Sequence, residues 1–122
     1  MRNLDEAKES FFDILAVTRK NSLILPNPSM RGLQAFLMGY QVCLASRGLI
    51  PRHVMEFDQF QGEWLARRLG LPFPNAIGWA GMMTQCVDGE YEAIRRFFEL
   101  MDEFCSEHQI VVTALPSQQI TK

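Results

Sequence analysis

Two histidines, three cysteines and fourteen carboxylates carry most of the acid–base, nucleophilic and metal-binding chemistry open to this 122-residue chain. His53 and His108 stand far apart, and neither sits in an HxxxH or HExxH spacing. Cys43, Cys86 and Cys105 never approach CxxC spacing. No zinc site is therefore expected, structural or catalytic. A nucleophile needs a base held beside it, and no local pattern supplies one. Cys86 reads as a buried, inert thiol, because free cysteine behaves as a small hydrophobe. Gly78-Trp79-Ala80-Gly81 is a lone GxxG among apolar residues, without the lysine of a phosphate loop,. It reads as a place where another helix crosses closely. No catalytic residue, metal or cofactor is expected.

The acids form the more informative set. In FDQFQGEWL (57–65), Phe57, Phe60 and Trp64 project on one broad helix face, while Asp58 and Glu63 lie off its centre,. That stretch reads as a core wall, with Asp58 left as a candidate for a surface contact. Glu99, Asp102, Glu103 and Glu107 gather near the end of a helix, where the dipole opposes negative charge by a few tenths of a kcal/mol each, ~0.3–1 at most,. They are the main candidates for an acidic patch that binds a basic partner. Neutralising Asp102 and Glu103 is then expected to leave folding intact or slightly improved. The basic pairs Arg67-Arg68 and Arg95-Arg96 diverge by about 100° around a helix, so neither makes a phosphate-binding stripe. Glu92 with Arg96, and Arg95 with Glu99, have the spacing of solvated ion pairs.

The whole chain narrows the class. Its formal net charge of -2 does not suit a direct nucleic-acid binder,. Hydrophobic residues make up 48% and charged residues 21%, enough to bury a core,. MRNLDEAKES lacks an apolar run, so no secretory signal is expected, and no stretch reaches the ~20 apolar residues of a membrane span. A cytosolic protein with reduced thiols follows as the expectation.

These side chains must be positioned by helices. Asn3 with Glu6 has capping-box spacing. Leu4, Ala7, Phe11, Ile14, Leu15 and Thr18 follow at helical intervals,. NSLILPNP (21–28) breaks that pattern, and Asn27-Pro28 restarts a helix with Met30, Leu33, Phe36, Leu37, Tyr40 and Leu44 on one face, ended by Gly48,. Pro51 opens a third helix that Gly70 and Pro72 close. Asn75 caps a fourth and Asp88 a fifth, whose stripe is Tyr91, Ile94, Phe97, Phe98, Met101, Phe104 and Cys105. No alternating run finds a hairpin partner. Ile110-Val111-Val112-Thr113 favours an extended form and reads as a short tail packed on the bundle. The expected architecture is an all-α, single-domain bundle of about five helices over 1–115, with a mobile tail over 116–122. Trp64, Trp79, Phe97 and Phe98 are expected to share its core.

The order of these elements resembles a family. Asn27-Pro28-Ser29-Met30 precedes the helix with Gly39-Tyr40. The Phe57-x-x-Phe60-x-x-x-Trp64 helix, Gly78-Trp79 and the Phe97-Phe98-x-Leu100 helix then follow in turn. This set, over about residues 27 to 105, resembles helical immunity proteins of bacterial contact-dependent growth inhibition and related polymorphic toxin systems. The link after the Pro-x-Met turn departs from the usual pattern, with Arg31-Gly32 following directly. The matching residues are apolar, so the resemblance carries over no catalytic residue.

The resemblance implies a cytosolic antitoxin that binds a cognate toxin domain and blocks its active site or activation. Such toxins are often nucleases, whose surfaces are basic because they neutralise phosphates. Asp58, Glu99, Asp102, Glu103 and Glu107 would then face the toxin. A cytosolic adaptor or secretion chaperone is the first alternative, marked by a contiguous apolar groove. A small enzyme is the second, marked by a deep polar pocket holding His53 or His108 beside a carboxylate or Cys86.

Overall fold

The computed structural model of the chain describes residues 5–20 and 29–113. Its elements run β1 (Asp5–Ser10), α1 (Phe11–Lys20), α2 (Met30–Ser46), β2 (Leu49–Arg52), α3 (Val54–Gln59), a π-helical turn (Phe60–Trp64), α4 (Leu65–Leu69), α5 (Gly78–Cys86) and α6 (Glu90–Glu107). The segments over 54–69 are continuous, so the helices amount to five rods, as the spacing predicts. Among the described residues, no helix is long and apolar enough to cross a membrane.

The first helix begins later than Asn3 and Glu6 suggest. Asn3 lies outside the described residues, and Glu6 sits in β1, paired in parallel with Ile50 of β2. A sequence such as DEAKES has little strand propensity of its own. It becomes a strand because β2 lies beside it, with α1 and α2 lying between the two parallel strands in sequence,. The capping box is instead Ser10 with Asp13. Ser10 Oγ accepts from the Asp13 N–H at 3.1 Å, and Asp13 Oδ2 accepts from the Ser10 N–H at 3.0 Å,. From there Phe11 through Thr18 are all buried, so α1 is a central helix rather than a helix with one apolar stripe,.

The other boundaries follow from capping chemistry. Asn27-Pro28 lies outside the described residues; Ser29 caps α2, accepting from the Gly32 N–H at 2.9 Å,. Glu90, the first residue of α6, accepts from the Met30 N–H at 3.0 Å and so ties the two helix starts together. Gly48 and Gly70 follow or cap their helices with φ of 72° and 74°, a conformation that glycine enters without strain,. Pro51 belongs to β2 rather than to a helix start. The chain turns into α3 through His53, itself at φ 57°. Asn75 does not cap α5 directly: its Oδ1 accepts from the Ile77 N–H at 3.0 Å, an Asx turn leading into the helix,. Gly89, not Asp88, is the cap residue of α6, and Glu90 and Glu92 favour its dipole instead,.

The aromatic side chains of five elements meet in one core. Phe60 is fully buried, with ring centroids 5.9 Å from Phe12, 5.6 Å from Phe97 and 5.3 Å from Phe104. Trp79 stacks on Phe97 at 5.0 Å, and Phe98 belongs to the same cluster. Trp64 packs on the margin of this core, half-buried. A π turn, with its i→i+5 hydrogen bonds, advances less per residue than an α-helix. Trp64 therefore stays beside Phe60, with ring centroids 5.8 Å apart and the planes tilted by 41°. The segment 110–113 packs as expected: Ile110 is buried, and the Thr113 N–H donates to Asp13 Oδ1 at 2.8 Å. The tail 116–122 lies outside the described residues.

Candidate functional site

The four candidate acids of α6, Glu99, Asp102, Glu103 and Glu107, all have partners within the chain. Asp102 pairs with Arg19 of α1 at 3.0 Å, and Glu103 with Arg68 of α4 at 2.6 Å. Glu107 accepts from the Trp64 indole N–H at 3.1 Å. Glu99 pairs with Arg95 at 2.6 Å and Arg96 at 3.2 Å. Glu92 takes Arg95 rather than Arg96. Three of these four contacts fasten α6 to other parts of the bundle, which gives the acids a structural reason to oppose the helix dipole. Each exposed ion pair adds at most ~1 kcal/mol. Two of the arginines also lie over aromatic rings: Arg19 is 5.0 Å from the Phe98 centroid and Arg68 5.6 Å from that of Trp64,.

Asp58 is different. Among the described residues it makes no ion pair, and it opens onto a cleft of about 250 Å³ between α2 and α3. Val54, Asp58 and Gln61 line one wall, spaced as one face of a helix,. Gln34, Leu37, Met38 and Gln41 line the other wall with the same periodicity. Phe11 and Phe57 add apolar surface, and Gly78 and Trp79 of α5 complete the lining. Glycine is favoured at position 78 by the backbone, because Gly78 has a φ of 80°; a Cβ there would meet Gln34 Nε2 at 3.6 Å, an ordinary contact,. A closely crossing helix does not account for Gly81 either, because its crowding comes from Ile77 of its own segment, whose Cγ2 a Cβ would overlap. Met38 stands at the lip, 61% exposed. The π turn contributes Gln61, and such turns recur at functional sites,.

The cleft thus joins a carboxylate and three amides to aromatic and aliphatic surface. Sequence reasoning reached Asp58 but missed Gln34 and Gln41. Their seven-residue separation on α2, matched by the Val54–Gln61 spacing, was the available signal,.

The residues first weighed for chemistry lie elsewhere. His53 Nδ1 is 3.7 Å from Glu56, and His108 stacks on Phe104 at 4.0 Å between centroids. Cys86 is exposed rather than buried, since it falls at the open end of α5. Cys105 is the buried thiol, and burial pushes its pKa up to about 12, with Asp102 and Asp13 adding to the shift,. Tyr40 Oη is buried without a partner among the described residues; burial first, then Glu9, Asp13 and Cys43, raise its pKa. Among the described residues, no three His, Cys, Asp or Glu side chains gather as a metal site. No family model, curated protein or solved structure matches the chain.

Proposed function

We propose that this chain is a cytosolic immunity protein that binds and neutralises a toxin domain, of nuclease type, from a bacterial contact-dependent inhibition system. The α2–α3 cleft is its principal docking site in this reading. The observation that carries the proposal is Asp58, without an ion-pair partner among the described residues, in a concave, mixed polar and apolar surface on a helical bundle. The ordered motifs over about residues 27 to 105 support the family. A concave patch with an exposed methionine at its lip and amides around it suits recognition of a protein surface, where a few anchored side chains carry most of the affinity.

The α6 acids act in this reading as a rim. Glu99, Asp102, Glu103 and Glu107 are already engaged by arginines or by Trp64. Their contribution to a basic partner is to encounter rate and salt dependence rather than to anchoring. Inhibition follows from occupying the surface that the toxin uses for its phosphate substrate. The test is co-expression with the variable C-terminal domain of an exported protein encoded immediately upstream. Survival of cells that the domain alone kills, together with a stoichiometric complex, is the expected result. The absence of such a neighbour, or killing undiminished by this chain, would refute the proposal.

A further inference from the structure

We infer that the α2–α3 cleft is a socket for one arginine side chain of a partner protein, with Asp58 as the counter-charge. This rests on the docking reading above and specifies what enters the cleft. Three observations carry it. First, the fold already contains two triads of arginine, carboxylate and aromatic ring: Arg19 with Asp102 over Phe98, and Arg68 with Glu103 over Trp64. The cleft repeats the carboxylate and aromatic members, Asp58 with Phe57 and Trp79, and lacks the cation among the described residues. Second, Gln34, Gln41 and Gln61 bring side-chain amides to the same space, each with an oxygen that can accept once the amide is turned toward a donor,. A guanidinium has five N–H donors in a planar fork, so it can serve a carboxylate and amide oxygens together while its stem lies on apolar surface. Lysine presents a more strongly hydrated point charge and is less suited to such a lined slot. Third, a volume of about 250 Å³ lies below the ~300–1,000 Å³ of drug-sized ligand pockets,. It suits a single side chain rather than a cofactor.

The experiment is a two-dimensional amide NMR titration of the full chain with N-acetyl-arginine amide, and with N-acetyl-lysine amide in parallel. Saturable shifts at Gln34, Gln61, Gly78 and Trp79 are expected with the arginine probe, in the millimolar range proper to so few contacts. The lysine probe should bind several-fold more weakly. Asp58 is exposed, so Asp58→Asn should weaken arginine binding by about fivefold, the loss of one exposed ion pair,. Gln61→Leu provides a second variant that keeps the charge and should weaken it less. Equal binding of lysine, shifts confined to the α6 acids, no saturable shift, or indifference to both substitutions would overturn the inference. The two readings separate cleanly. A toxin bound equally by wild type and Asp58→Asn sinks the socket and leaves the docking proposal standing. A bound arginine probe with no toxin partner does the reverse.

Discussion

Asp13 is 8% exposed and holds two distant parts of the chain at once. Its carboxylate accepts from the Ser10 N–H at 3.0 Å and from the Thr113 N–H at 2.8 Å. Replacing it with alanine removes both acceptors; it leaves the buried Ser10 N–H unsatisfied, while the N–H of the exposed Thr113 turns to water. Hydrogen bonds to charged groups are worth ~1.5–3 kcal/mol each, with the bond to the exposed Thr113 at the low end, so Asp13→Ala should destabilise by about 3–4.5 kcal/mol,. Asp13→Asn keeps one carbonyl but turns an NH2 group toward one of the two donors. One bond is lost and the other becomes neutral, which predicts a loss of about 2–4 kcal/mol. Ser10→Ala, which removes only the cap bond to the Asp13 N–H, should cost ~0.5–2 kcal/mol,. Single domains are stable by only ~5–15 kcal/mol, so the Asp13 variants should shift a urea midpoint visibly. Amide exchange distinguishes the two anchors: Asp13→Ala should release the Thr113 amide, and Ser10→Ala should not. Asp13 variants within about 0.5 kcal/mol of wild type, with Thr113 still protected in Asp13→Ala, would refute this account.

Other outcomes follow from particular contacts. Gly39 lies inside α2 with nothing within 4 Å of a built Cβ, so Gly39→Ala should stabilise by about 0.5–1 kcal/mol in denaturant unfolding,. Asp102→Asn with Glu103→Gln should lower stability slightly, by up to ~1 kcal/mol for each pair lost, because Arg19 and Arg68 lose their partners,. An unchanged or raised midpoint would restore the simple dipole view of these acids. In the native protein an aromatic disulfide reagent near pH 8 should titrate Cys43 and Cys86 quickly and Cys105 only on unfolding,. The raised thiol pKa also has a sign. Unfolded Cys105 ionises near its ordinary value of 9.0 while the folded thiol holds its proton to about 12. Its contribution to stability is thus complete below pH 9 and declines as pH rises toward 12,. Cys105→Ala should flatten that decline in alkaline urea titrations.

Much of the architecture is local and therefore legible in the sequence. Apolar side chains at helical spacing bury one face wherever the chain goes, and Gly48 and Gly70 stop helices because their φ values of 72° and 74° strain other residues,. Those terms placed all five rods and most of the aromatic core, with Trp64 reaching only its margin. The strand β1 was not legible, because DEAKES pairs only after α1 and α2 bring β2 alongside it,. The same limit applied to charge. Helix position alone made Glu99, Asp102, Glu103 and Glu107 look like one free patch. Whether a carboxylate is free depends on which arginine reaches it across the fold, and only the tertiary structure gave Asp102 to Arg19 and Glu103 to Arg68. By the same packing, Asp58 was left without a cation among the described residues, facing amides from a helix that sequence distance had kept out of view.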